Sequence, residues 1–261
     1  MSAAVTEIES SPASQLARTI DHTKLTFAVG EDEQAAILQL CEEARQYGFF
    51  AVCVRPRHVA LCKKHLMDTA VKVATVIGFP LDTVKLEAEK IQPTIGNFPI
   101  ADKVAEARQA VLDGADELDV VIHVAQLKSD TQTGATEVVR QELKAIQEAA
   151  SGKPIKVIIE TDLLSDAEIM QISHWCAELR VLMVKTCTGM VEGGQGATVK
   201  VVSLIQSTLR KTNPKTKIKA SGGIKSQEQA QSLLKAGAVR LGTSSGLAIV
   251  QGSSAENAVD Y

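Results

Sequence analysis

The 261-residue chain has no run of five or six like charges, and its 28 basic and 31 acidic residues leave a formal net charge of -3. Neither a nucleic-acid backbone nor an anionic membrane surface is an implied partner, and the expected ligand is a small molecule. CxxC spacing is absent. The five cysteines (Cys41, Cys53, Cys62, Cys176 and Cys187) are scattered, which argues against a disulfide framework and a zinc knuckle and fits a reducing cytoplasm. No stretch approaches the apolar length of a membrane span, and the opening MSAAVTEIESSP is acidic without a signal-peptide core. Walker A and GxGxxG fingerprints are missing, so a nucleotide is not implied. Histidines and carboxylates do not cluster at ligand spacing, and no metal or other cofactor is expected. Residues 1–12 read as a disordered leader, 13–250 as one domain and 251–261 as a flexible tail.

Against these absences stand short runs that are apolar almost throughout: AVCV (51–54), VKVATVIG (71–78), ELDVVIHV (117–124), KVIIET (156–161) and VLMVKT (181–186). Strands buried on both faces read this way, in a parallel sheet covered by helices. Helical spacing appears between them at 33–48, 102–114, 135–150 and 226–237. Three helices end on glycine just before a strand, in QYG-FFAVCV, LDGADELDVV and KAGAVRLGTS, and a glycine there supplies a left-handed cap. IDHT (20–23), KIKASGG (217–223) and RLGTS (240–244) bring the strand count to eight. Eight such units in one domain predict an α/β fold, a single (β/α)8 TIM barrel. Periodicity alone also permits a doubly wound open sheet.

A barrel of this kind builds its active site at the carboxyl ends of the strands. Strand 1 is read as ending in Asp21, strand 4 carries Asp119, and strands 6 and 7 deliver Lys185 and Lys219. Two lysines in one mouth would lose hydration and repel each other, and both effects depress a lysine pKa. A partly neutral lysine is a nucleophile for carbonyls and forms a Schiff base without metal or pyridoxal phosphate. For any single lysine the plainer reading is a buried structural ion pair with Asp21 or Asp119. Two lysines on adjacent strands, facing one aspartate, favour chemistry. Glycine-bearing segments then follow strands 6, 7 and 8, at 186–198, 220–224 and 242–246. One such loop would be only a turn; three on one side of a barrel favour a phosphate nest.

IDHTKL, FAVCVRPRHV, VATVIGFPL, GADELDVVI, KVIIET, VKTCTGM, IKASGGIKS, RLGTSSG and a terminal tyrosine occur in that order. In them the chain resembles the deoxyribose-phosphate aldolase family over nearly its whole length. The resemblance implies a class I carbon–carbon lyase of carbohydrate and deoxyribonucleotide catabolism. Its substrates are a phosphorylated deoxy sugar, acetaldehyde and glyceraldehyde 3-phosphate, and its assembly a homodimer or homotetramer. Lys185 matches the family's Schiff-base lysine and Lys219 the second lysine that lowers the first one's pKa. Asp119 corresponds to the carboxylate that relays protons through water, and Asp21 resembles the residue that holds the network. Substrate- and phosphate-binding positions fall on Thr188, Gly189, Gly222, Gly223, Ser244 and Ser245. Cys53 matches a cysteine lining the site, with buried apolar filler the equal alternative. Tyr261 matches a terminal tyrosine that carries protons at the substrate carbon.

Met190 and Cys187 depart from the family, standing where some members have lysine and serine. The segment after VIGFP is longer than the common pattern and reads as an extra loop or helix at one edge of the mouth. His22 is placed where it could order Asp21, while His58, His65, His123 and His174 read as structural or surface residues. Three rival readings remain: a lysine aldolase of the same fold for another sugar phosphate, a carboxylate-based barrel isomerase or synthase, and a non-catalytic sugar-phosphate sensor. The second leaves two lysines unexplained, and the third needs them to be structural.

Overall fold

A computed structural model describes residues 12–80, 95–133 and 137–253. Eight parallel strands close into a barrel in sequence order: β1 (Ile20–Lys24), β2 (Ala51–Val54), β3 (Lys72–Ile77), β4 (Glu117–Val121), β5 (Ile155–Ile158), β6 (Met183–Lys185), β7 (Lys217–Ser221) and β8 (Arg240–Thr243). β8 pairs with β1 through Ile20–Leu241, Asp21–Gly242 and His22–Thr243, which closes the ring and excludes the open sheet. Closure leaves no unpaired strand edge within the barrel.

A short helix, α1 (Pro12–Ala17), precedes β1, so it starts on the last residue assigned to the leader. Outer helices follow the strands: α2 (Glu33–Tyr47), α3 (Val59–His65), α4 (Ile100–Leu112), α5 (Val124–Thr133), α6 (Glu137–Ala149), α7 (Asp166–Glu178), α8 (Val199–Thr212), α9 (Gln227–Ala236) and α10 (Gly246–Val250). Two of them, α5 and α6, lie between β4 and β5. The expected glycine stop is clear after α2, where Gly48 takes φ 67° and its N–H bonds the Ala44 carbonyl. Ser165 and Glu168 form a capping box at α7, as Ser226 and Gln229 do at α9. Strands β2, β4 and β5 are buried along their whole length, which explains their near-continuous apolar runs.

Among the described residues no helix is long and apolar enough to cross a membrane. The longer segment after Pro80 falls largely on 81–94, and the leader and tail on 1–11 and 254–261; these lie outside the described residues.

Candidate active site

Alternation along the strands turns a set of charged side chains into the barrel interior. Register places Lys185 beside Lys219, Lys219 beside Arg240, and Asp119 beside Lys156. Lys185 is the last residue of β6, as expected from the sequence. Asp21 is not at a strand end: β1 continues to Lys24, because Thr23 and Lys24 pair with Cys53 and Val54. Asp119 and Lys219 are also mid-strand residues. Lys185 therefore sits at the carboxyl rim, above a charged layer that is sealed from solvent.

The two lysines converge on one oxygen. Lys185 Nζ lies 2.9 Å and Lys219 Nζ 2.8 Å from Asp119 Oδ2, and Lys219 also bonds Asp21 Oδ2. Lys156, unassigned in the sequence, donates to the other Asp119 oxygen at 2.9 Å and to Asp21 Oδ2 at 3.1 Å, and forms an ion pair with Glu117 Oε2 at 2.6 Å. Arg240 completes the floor with Asp21 Oδ1 at 2.8 Å and Glu117 Oε2 at 3.2 Å, its guanidinium stacked 3.2 Å from the Phe50 ring centroid. Asp21, Asp119, Lys156 and Lys219 are fully buried.

These pairs fix the protonation states of the network. Burial opposes charge at Asp119 and Asp21, but the surrounding lysines outweigh it and hold both well below the usual carboxylate range. Burial likewise opposes a charged Lys219, yet Asp119 and Asp21 raise its pKa instead, and Lys156 is raised in the same way. The expectation that both mouth lysines would be depressed thus fails for Lys219, because two carboxylates compensate its lost hydration. Cys53 is buried with its Sγ 4.0 Å from Asp119 Oδ2, and burial pushes the thiol up.

His22 points elsewhere. Its Nε2 meets Glu43 of α2 at 2.7 Å and its ring packs on Phe49, so it does not order Asp21. The same alternation that sends Asp21 inward sends its neighbour outward.

The loops after β6 and β7 interlock around the glycines. Ser221 Oγ donates to the Cys187 carbonyl at 2.6 Å, Thr186 Oγ1 to the Ser221 carbonyl at 2.8 Å, and Ala197 N to the Gly222 carbonyl at 3.0 Å. A Cβ on Gly222 would lie 3.1 Å from the Gly196 Cα and 3.7 Å from the Gly189 Cα. Gly189, Gly222 and Gly223 all have positive φ, at 82°, 92° and 70°. Thr188 is buried. Ser244 lines a cavity of about 500 Å³ with His22, Thr23 and Lys24, and Ser245 is buried with its N–H on Thr243 Oγ1. Tyr261 lies outside the described residues.

One group of potential metal ligands does come together, Glu160, Asp162 and Cys187, within 4.8 Å of one another. Its donors are already engaged: Glu160 with Thr188, Asp162 with the amides of Gln195 and Gly196, and Cys187 with Thr161, the thiol pushed up by burial. These residues do not form a ready cation site.

Lys156, Glu117, Arg240 and Glu160 were missed in the sequence. The first three had a signal: a charged residue at an inward position of a buried strand, such as Glu117 two residues before Asp119.

Comparison with known proteins gives the family. Residues 16–252 match the family model described as DeoC/LacD family aldolase. The deoxyribose-phosphate aldolase of Bdellovibrio bacteriovorus is 40% identical over 242 residues, covering 93% of this chain and 98% of that protein. Deoxyribose-phosphate aldolase 1 of Oceanobacillus iheyensis is 40% identical over 238 residues, covering 91% and 96%. The deoxyribose phosphate aldolase of Aeropyrum pernix, whose structure is described as a unique tetramer, superposes with a TM-score of 0.76 at 28% identity, covering 92% and 91%. With the family model spanning the whole barrel and close relatives matched end to end, the chain belongs to the DeoC/LacD aldolase family.

Proposed function

We infer that the chain is a class I aldolase that reversibly cleaves 2-deoxy-D-ribose 5-phosphate to acetaldehyde and glyceraldehyde 3-phosphate through a Schiff base on Lys185. The observation that carries this reading is the meeting of Lys185 and Lys219 on Asp119 Oδ2 at the top of a buried charged layer. Three carboxylates (Asp21, Glu117, Asp119) face four cations (Lys156, Lys185, Lys219, Arg240), so one positive charge is in surplus. Lys156, Lys219 and Arg240 each bridge two or more carboxylates, whereas Lys185 forms a direct ion pair with Asp119 only, among the described residues. Lys185 is thus the least heavily paired of the four cations, and its amine is the group a carbonyl reaction needs.

In cleavage, Lys185 Nζ adds to the aldehyde carbon of the open-chain sugar and the carbinolamine loses water. A base removes the proton of the 3-hydroxyl, the bond between C2 and C3 breaks, and its electron pair flows to the iminium nitrogen. C3 leaves as the aldehyde of glyceraldehyde 3-phosphate, and the remaining enamine takes a proton at C2. Hydrolysis of that imine frees acetaldehyde and restores Lys185. Asp119, hydrogen-bonded to Lys185 and held ionised, orients a water that relays protons between the imine and the substrate. Lys219 stays charged and disfavours a second charge beside it, and Asp21 holds Lys219 and Lys156 in place. Cys53 lines the wall next to Asp119.

Thr188, Gly189, Gly222, Gly223, Ser244 and Ser245 receive the substrate and its phosphate. Support comes from the close packing of the β6 and β7 loops through glycine and from the Gly189 N–H, which has no partner among the described residues. A phosphate held there orients the carbons that react far from it. Tyr261 delivers the proton at C2 from the chain's last position. The decisive test is borohydride reduction with acetaldehyde or deoxyribose phosphate followed by peptide mass mapping. The adduct is expected on Lys185 alone; an adduct on another lysine, or none, overturns the assignment.

A further inference from the structure

Two residues beyond β5, Glu160 adopts a left-handed backbone with φ 57° and ψ 66°. A residue with a side chain enters that region at a cost, and here the turn brings its carboxyl under the β6 loop. The side chain is fully buried. Both carboxyl oxygens lie 3.2 Å from the Thr188 N, and Thr188 Oγ1 donates to Oε2. The same hydroxyl accepts from Met190 N at 3.1 Å. The residues on either side of Gly189 are thus tied down through one carboxyl, while the Gly189 N–H has no partner among the described residues.

We propose that Glu160 is a positioning residue, whose carboxylate clamps Thr188 and so aims the Gly189 amide at the phosphate of the substrate. The proposal rests on the phosphate-binding reading of this loop given above. Glu160 is faced by Asp162 from the turn after β5, by Lys185 from β6 and by the Cys187 thiol from the β6 loop. Burial dominates these and pushes Glu160 up to about 7, against the hydrogen bonds from Thr188. The clamp therefore changes charge in the neutral range. The ionised form accepts both Thr188 bonds as charge-assisted ones, and the protonated form gives up one acceptor position. The grip on the loop weakens as pH falls.

Glycerol 3-phosphate is a suitable probe because it has no carbonyl and cannot form an imine. Its affinity is to be measured by calorimetry between pH 6 and 8 for the wild type, Glu160→Gln and Thr188→Val. At pH 8 Glu160→Gln should bind about ten-fold more weakly, the scale of one charge-assisted hydrogen bond. The ratio between wild type and Glu160→Gln should shrink toward one at pH 6, where both carry a neutral side chain. Ionisation of the ligand is common to both proteins and drops out of that ratio. Thr188→Val, which removes the hydroxyl bond but not the backbone one, should reproduce part of the loss, and Glu160→Gln should cost less on that background than alone. A ratio that stays constant across the pH range, or losses that simply add, would overturn the clamp. Acetaldehyde trapping at Lys185 in the wild type is the separate check on the aldolase reading; its failure would sink that reading while leaving the binding result to decide on Glu160.

Discussion

Lys185 and Lys219 are register partners on adjacent strands and share a single acceptor, Asp119 Oδ2, at 2.9 and 2.8 Å. The arrangement makes the charge of one lysine a condition on the other. Lys219→Leu should therefore move the pH dependence of imine formation upward, since its loss leaves three carboxylates facing three cations and gives Lys185 a reason to keep its proton. Trapping rates with acetaldehyde across pH 6–10 measure this. A profile that stays put or moves down removes Lys219 from the tuning role.

Lys156 presents the complementary case, for it holds the Asp119 oxygen that the other two lysines leave free. Lys156→Met should raise the same pH profile and also lower kcat by about ten-fold or more, because Asp119 loses the bond that fixes its rotation. Breaking a buried pair costs about 3–5 kcal/mol, so the assay belongs at a temperature where circular dichroism shows a folded enzyme. Unchanged kcat in folded protein would make Lys156 a structural filler.

Gly242 faces Lys219 from β8. A Cβ there would stand 2.8 Å from Lys219 Cε and 3.5 Å from its Nζ. Gly242→Ala should push Lys219 off Asp119 and reduce kcat by about a hundred-fold, the scale of a misplacement of about 1 Å in a reacting constellation. Steady-state kinetics check this, with wild-type kcat as the contrary result.

Stability should also carry the mark of Glu160. Its pKa rises from 4.5 to about 7 on folding, so in that window the folded protein keeps a proton the unfolded chain has released. Its contribution is present below pH 4.5 and is lost as pH rises to about 7, by about 3 kcal/mol. Urea midpoints at pH 5 and pH 8 should therefore differ less in Glu160→Gln than in the wild type; equal differences would contradict the shift.

Deletion of Tyr261 should slow exchange of the acetaldehyde methyl protons with deuterated solvent and lower turnover, while borohydride trapping at Lys185 continues. Exchange at the full rate in the truncated enzyme would leave the tail without a catalytic part.

The barrel was legible because fully buried parallel strands cannot carry much besides apolar residues, and AVCV coincides with β2 residue for residue. Lys185 and Asp119 were legible for the opposite reason, as charges where none belongs. The end of β1 was misplaced because Thr23 and Lys24 are drawn into the ladder by Cys53 and Val54, partners 30 residues away. Lys156 stands at the start of the apolar run KVIIET, where alternation aims it, with Ile158, at the interior. Glu160 offered no such cue, because a left-handed non-glycine residue depends on contacts made by the next strand's loop.

The charged layer has a consequence for how the chain reaches its native state. Arg240 and Asp21, 219 positions apart, find each other only when the last strand docks against the first. Until then the buried-to-be carboxylates and ammonium groups keep their water, and a partly assembled half-barrel gains little by excluding it. A fragment ending before β8 therefore lacks the guanidinium that pairs with Asp21 Oδ1, and the floor of the charged layer is completed only when the ring closes.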